Sequence, residues 1–347
     1  MQYNKLSNTD IEVSQICLGT MTFGEQNSES EGHAQMDMAI DMGVNFFDTA
    51  ELYAVPSTKE NNGKTEDIIG TWFTKSGKRD KVVLATKVTG PSPNLEKYIA
   101  KNLGFSRPRV LEAVDRSLRR LQTDYIDLYQ LHWPERGTNM FGQRGYRGGA
   151  NDGWEDNIAE VVDTLNDLVK EGKIRTYGLS NETPWGVMRY LGEADKAGYD
   201  RLVSIQNPYG LLNRLYEVGL SEMGLRENIG LLAYSPMGFG LLSGKYHTGD
   251  DKSTDRRNKY SQMSRYDSAQ CYDATSLYLE IARQNDVSLA QMSLAFVNSR
   301  PFVTSTIIGA TNLKQLEENI TSANIQLSNE VLTEIEKVHE LIPNPAP

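Results

Sequence analysis

Four residue types that can together move a proton stand at the ends of three apolar runs. Val44-Asn45-Phe46-Phe47 leads into Asp48-Thr49-Ala50-Glu51-Leu52-Tyr53, which delivers an acid and a phenol within six positions. Lys81-Val82-Val83-Leu84-Ala85-Thr86 ends on Lys87, and Tyr125 to Leu131 ends on His132. In a parallel α/β protein the carboxyl ends of strands face the site. A buried carboxylate beside a tyrosine can hold a cation near the phenol, and a nearby cation lowers a tyrosine pKa. That is a route to a proton donor near neutral pH. Singly, each has a plainer role: a capping Asp, a packing Tyr, a solvated Lys at a strand end, a His packed on Trp133. Convergence on one rim changes the balance, because an acid, a phenol, an ammonium and an imidazole together form a tuned proton-transfer site.

The elements that must position them alternate along the chain. Gln2–Leu6 and Ile11–Val13 flank Ser7-Asn8-Thr9-Asp10, which predicts a short hairpin. Strands are expected at 16–20, 44–48, 81–87, 125–131, 176–179, 202–205, 229–234 and 305–308. Helices are expected between them at 28–42 (ending at Gly43), 65–75, around 110–121, 158–170, 184–197, 216–226, 277–282 and 288–298. Ser288-x-x-Gln291 fits a capping box. Eight strand–helix units without a linker predict an α/β fold, a (β/α)8 TIM barrel over residues 1–347 with an N-terminal hairpin and long loops at the C-terminal face. A doubly wound sheet is the rival, but Gly19-Thr20-Met21-Thr22-Phe23-Gly24 is no GxGxxG turn, and Gly238-Phe239-Gly240 lacks the third glycine. Insertions at about 89–108 and 134–157 both follow strands and belong over the barrel mouth.

Composition narrows the function classes. The 347 residues are 39% hydrophobic and 24% charged, as in a soluble globular protein. A net charge of −10 argues against a nucleic-acid surface. Only two cysteines, Cys17 and Cys271, are present, far apart and without CxxC spacing, which argues against a disulfide framework, and the histidines at 33, 132, 247 and 339 have no metal-ligand spacing. The start of the chain carries no apolar signal core, and no run of about 18 apolar residues occurs, so no membrane association is expected and the cytoplasm is the expected location. The outer helix faces of a barrel leave room for a homo-oligomer.

From Leu18-Gly19-Thr20-Met21-Thr22-Phe23-Gly24 to Gly309-Ala310-Thr311 the sequence resembles the aldo-keto reductase family, most closely its bacterial Tas-like branch. The family's tetrad pattern falls on Asp48, Tyr53, Lys87 and His132. The resemblance implies NADP(H)-dependent reduction of a small-molecule carbonyl substrate, with Tyr53 as proton donor, Lys87 tuning it, Asp48 aiming Lys87 and His132 orienting the carbonyl. It implies cofactor contacts at Thr20, Met21, Gln26 and Asp48, then at Ser180, Asn181 and Gln206. Further contacts fall on Tyr234, Ser235, Pro236, Met237, Gly238, Phe239, Gly240 and Lys245. The last group is Gly309, Thr311, Gln315, Glu318 and Asn319. Gln206 and Asn181 suit the nicotinamide amide, and Gly238 and Gly240 let backbone approach the pyrophosphate. The helix near Asn312 offers its N-terminus to an anion, with Lys245 and one arginine of the pair Arg256-Arg257, assigned as Arg257, beside it.

The resemblance also admits a second reading, a nicotinamide-nucleotide-binding regulatory or redox-sensing protein of the potassium-channel beta-subunit type with little turnover. That branch typically has Asn at the position of His132, so His132 favours an enzyme. An aldolase using Lys87 as a Schiff-base nucleophile is disfavoured by the Asp48/Tyr53 pairing. Phe23, Trp133, Phe141, Tyr146 and Trp154 are candidates for an apolar substrate wall, or equally for anchoring the second insertion.

Overall fold

Eight parallel strands close into a barrel: β3 Ile16–Gly19, β4 Phe46–Asp48, β5 Val83–Val88, β6 Ile126–Leu131, β7 Ile174–Ser180, β8 Ser204–Pro208, β9 Gly230–Tyr234 and β10 Val303–Ile308. β10 pairs with β3 and completes the ring. The expected (β/α)8 barrel is the observed fold. The computed structural model describes residues 1–143, 145–149, 153–260 and 264–346. The hairpin is formed by β1 Tyr3–Lys5 and β2 Glu12–Ser14. Its Leu6, Ile11 and Val13 pack with Cys17, Phe46, Ala85, Leu128, Leu232 and Ile307, residues that the strand alternation turns inward. The hairpin therefore plugs the amino-terminal end of the barrel. The alternate residues, among them Leu18, Phe47, Leu84 and Tyr129, join the larger cluster between strands and helices.

The same two-residue period selects what reaches the other end. Phe46 faces inward, so Asp48 does too; Ala85 brings Lys87, and Leu128 brings Gln130 and His132. Register sets the neighbours, with Asp48 opposite Ala85 and Lys87 opposite Gln130.

The helices follow the expected order. α1 Glu29–Asp41 opens on a reciprocal capping box between Ser28 and Glu31 and stops before Gly43 at φ 85°. α2 Lys64–Ser76, α3 Arg107–Leu121, α4 Ile158–Lys170 and α5 Pro184–Ala197 come next. The predicted helix 216–226 is a 3₁₀ turn, Leu215–Val218, and a separate α6 Leu220–Glu227, because Gly219 at φ −152° lies outside helical space. After β9 a long segment carries two short helices, α7 Lys245–Thr248 and α8 Arg256–Lys259, before α9 Ala269–Gln284 and α10 Leu289–Asn298. Ser288 caps α10 by accepting from the Gln291 amide, but the Gln291 side chain donates to Thr321 Oγ1, so the box is only half made. α11 Leu313–Thr321 and α12 Asn329–Leu341 follow β10. β8 runs further than the apolar pattern suggested, because Gln206 and Asn207 find partners inside the ladder: Asp48 for the first, the Glu182 backbone for the second.

Candidate active site

Lys87 is fully buried, and its Nζ donates to Asp48 Oδ2 and to the Thr49 carbonyl, each at 2.7 Å. The other Asp48 oxygen accepts from Gln206 Nε2 at 2.8 Å and Gln130 Nε2 at 3.3 Å, and Gln206 Nε2 also reaches Gln130 Oε1. Asp48 is thus saturated by three strands, and Lys87 cannot swing away without leaving it unpaired. Lys87 Nζ lies 5.0 Å from the Tyr53 ring centroid, and the Tyr53 and His132 rings meet edge to face at 5.7 Å. The four residues predicted from the strand ends are together.

Burial opposes the charge on Lys87, but Asp48 and then Tyr53 outweigh it, and its pKa is raised. For Tyr53 the expectation is corrected. Burial raises the phenol more than Lys87 lowers it, with Asp48 adding to the rise, so Tyr53 remains a protonated donor through neutral pH. His132 is driven well below the usual imidazole range by burial and then by Lys87, so it is neutral, and its Nδ1 has no partner among the described residues.

Glu51 fixes the segment between Asp48 and Tyr53. Its backbone amide donates to the Lys87 carbonyl, while its carboxylate accepts from the Thr89 amide at 2.7 Å and from the buried Arg109 of α3. The insertion 89–108 packs beside Tyr53, where Leu52, Tyr53, Ile99, Leu103 and Trp133 form one cluster. Trp133 Nε1 donates to the Pro91 carbonyl, and a Cβ on Gly90 would stand 2.4 Å from that nitrogen, so only glycine fits there.

A cavity of about 780 Å³ runs from Tyr53 and His132 across the barrel mouth to α11, within the usual range for small-molecule sites. Thr20, Met21, Gln26 and Asp48 line it from the first two strand ends; Ser180, Asn181 and Gln206 from β7 and β8; Tyr234, Ser235, Pro236, Met237, Phe239, Gly240 and Lys245 from beyond β9. Gly309, Thr311, Gln315, Glu318 and Asn319 complete the far end. Two assigned residues do not line it. Gly238 is turned toward Leu212 and Tyr266, at φ 53°. Arg257 points away and is held by Asp267, the Tyr266 carbonyl and the Tyr272 hydroxyl; its neighbour Arg256 lines the cavity, 4.7 Å from the Phe239 ring. Two helical neighbours point about 100° apart, and the acid at 267 decides which faces inward.

Other assignments carry engagements that the sequence did not reveal. Asn181 donates to the His132 carbonyl and accepts from the Tyr234 hydroxyl at 2.6 Å, tying β6, β7 and β9 together. Lys245 is paired with Asp255, and Gln315 Oε1 accepts from the backbone amide and hydroxyl of Thr311. Of the aromatic candidates, Trp133 and Phe141 line the cavity. Phe23 is fully buried beside α1, Tyr146 is exposed, and Trp154 meets Trp185 edge-on near Arg136, which is ion-paired to Glu182. Thr22, Lys259 and Arg265 line the site without having been assigned, and so does Arg256, the member of the arginine pair that was not chosen. Only Arg256 had a signal, its adjacency to Arg257.

The cavity suits a dinucleotide. Gly240 and Gly309 present backbone to open space where a Cβ would stand. Thr22 Oγ1 and Gln26 Oε1 are buried on its wall without partners among the described residues. The N-terminus of α11, capped by Asn312, and the cation Lys245 favour phosphate, and Arg256, near Met21 and Phe239, adds a further cation to the cavity wall.

The sequence profile of the Aldo/keto reductase family matches residues 15–340. The chain belongs to the aldo/keto reductase family. It is 48% identical over 352 residues to Protein tas of Escherichia coli, with the whole of both chains covered. It is 33% identical to the uncharacterized oxidoreductase YrpG of Bacillus subtilis, covering 99% of this chain and 97% of that one. A probable voltage-gated potassium channel subunit beta of Arabidopsis thaliana is 31% identical over 349 residues. The family and its oxidoreductase members assign a general oxidoreductase role. No helix among the described residues is long and apolar enough to cross a membrane.

Proposed function

We propose that this aldo/keto reductase is a cytoplasmic NADPH-dependent enzyme that reduces an aldehyde or ketone to an alcohol, with Tyr53 as general acid. The carrying observation is the buried Lys87 held by Asp48 beneath a protonated Tyr53 that faces a neutral His132. The nicotinamide nucleotide, when bound, supplies the hydride. Residues that would hold it are Gln206 and Ser180, Tyr234 as a ring platform, the backbone of Ser235, Pro236, Met237, Phe239 and Gly240, and Lys245, Arg256 and the α11 N-terminus for phosphates. Tyr53 gives its hydroxyl proton to the carbonyl oxygen as that oxygen gains charge. Lys87 then stabilises the phenolate left behind, which is the same interaction that lowers the phenol pKa against burial. His132, kept neutral, can hydrogen-bond the carbonyl without competing as an acid. Two free, buried cysteines suit a reducing compartment.

Purified protein should oxidise NADPH when given a reactive aldehyde such as 4-nitrobenzaldehyde. Tight NADPH binding with no turnover across aldehydes, ketones and quinones would instead favour a regulatory nucleotide-binding role. Because burial raises Tyr53, the reduction rate should stay flat from about pH 6 to pH 9 and fall only above about 10, as the donor is lost.

A further inference from the structure

The segment after β9 carries several cations, and most have acids: Lys245 has Asp255, Arg257 has Asp267, and Lys259 has Glu25. Arg265 differs. It lines the cavity, makes no ion pair among the described residues, and its Nε is buried without a hydrogen-bond partner there. Its guanidinium carbon lies 5.7 Å from the Phe141 ring centroid. From Phe141 a chain of ring contacts leads back to the proton donor: Phe141 to Trp133 at 5.8 Å, Trp133 to His132 at 4.9 Å, His132 to Tyr53 at 5.7 Å. Arg265 also acts on the Tyr234 phenol, which burial pushes up to about 12 against the pull of this cation. It therefore reaches His132 through Phe141 and Trp133, whereas Arg256 acts on Tyr53 itself and Lys245 sits with Asp255. Leu52, Val55, Leu95, Trp133 and Phe141 give the same cavity an apolar wall, with Leu52, Val55, Leu95 and Trp133 clustered around Tyr53.

We infer that the substrate carries a carboxylate in addition to its carbonyl, and that Arg265 is the residue that receives it. The Arg265 guanidinium is shared with the Tyr234 and Tyr266 hydroxyls but keeps its Nε donor without a partner among the described residues, and a planar guanidinium can match a carboxylate in two parallel hydrogen bonds. The apolar wall would take the hydrocarbon body between the two groups, leaving the carbonyl at Tyr53 and His132. In a chain of net charge −10, an unpaired arginine inside the site also attracts an anion that the surface repels. This inference rests on the carbonyl-reductase reading, and its test separates the two.

With the protein saturated in NADP, calorimetric titration should compare 4-(hydroxymethyl)benzoate with its methyl ester. The carboxylate should bind at least about tenfold more tightly, the lower end of a charge-assisted hydrogen bond. Arg265→Met should bring the ratio near one, and Arg265→Lys should keep part of it; the ratio is independent of the active fraction of each preparation. The matching aldehydes, 4-carboxybenzaldehyde and methyl 4-formylbenzoate, should show the same ratio in kcat/KM. Equal affinities in the unmutated protein, or a preference that survives Arg265→Met, would overturn the inference. So would a loss of NADPH affinity in Arg265→Met with the ratio unchanged, which would make Arg265 a cofactor ligand. Selective carboxylate binding lost in Arg265→Met, with neither aldehyde reduced, would keep Arg265 as a carboxylate receptor but remove the reductase reading and with it the carbonyl part of the inference. Reduction of both aldehydes with equal kcat/KM would do the reverse.

Discussion

At the scale of single residues, the site depends on charges kept where burial opposes them. Lys87 is held by Asp48, and Lys87→Met leaves Asp48 buried without its cation, a change that costs about 3–5 kcal/mol when a buried pair is broken. Urea unfolding should register that loss alongside the loss of turnover. His132 gives a pH signature. Its folded pKa is depressed, so above the unfolded value of about 6.5 neither state is protonated and the residue carries no penalty. As pH falls below that value the unfolded chain takes up a proton that the folded protein refuses, and stability drops by up to about 1.4 kcal/mol per pH unit. His132→Asn should flatten this part of the profile between about pH 6.5 and 5, measured as the difference from the unmutated protein. An identical slope in both proteins would show that the imidazole is not held neutral. Asp48, Lys87 and His132 were legible in the sequence because each ends an apolar run, and Tyr53 because it follows Asp48 by five positions. The Tyr53 pKa was not, since it depends on how deeply the ring is buried. Arg265 carried no sequence signal, because its meaning lies in having no acidic partner among the described residues.

At the scale of elements, the strand period does most of the positioning, and loops complete it. The inward set followed from alternation along the strands, and the hairpin was readable from its turn residues. The orientation of Arg256 against Arg257 was not readable, since Asp267 and Tyr272 lie ten and fifteen residues further on. The Ser288 cap of α10 was readable, but not the loss of the reciprocal half of its capping box, where Thr321 draws the Gln291 side chain away. The buried pair of Glu51 and Arg109 ties the segment bearing Asp48 and Tyr53 to α3 and to the Lys87 backbone. Glu51→Gln keeps the shape but leaves Arg109 as a buried unpaired cation, and a stability loss of about 3–5 kcal/mol is expected in denaturant titration. If Glu51→Gln unfolded at the same denaturant concentration as the parent, the segment would have to be held by packing alone.

At the scale of the whole molecule, the closed barrel gathers groups from strand ends far apart in sequence, and the proposed phosphate end comes from the late segments. Lys245, Arg256 and the start of α11 should favour the nucleotide with the extra phosphate. Charge-assisted bonds contribute about 1.5–3 kcal/mol each, so NADPH should bind at least about tenfold more tightly than NADH. Lys245→Met should erode that preference and leave NADH affinity nearly unchanged, after allowing for the release of Asp255. Equal dissociation constants for the two nucleotides in the unmutated protein would contradict this assignment.

The central claim is that the Tyr53 hydroxyl donates the proton, and single-turnover hydride transfer in Tyr53→Phe with NADPH saturating tests it most directly. The substitution keeps the ring against His132 and removes only the hydroxyl. The rate should fall by roughly 10²–10⁴-fold, the usual contribution of a positioned acid, while NADPH affinity stays close to that of the parent. A rate within a few-fold of the parent would mean that the phenol is only a packing group, and the roles assigned to Lys87, Asp48 and His132 around it would fall with it.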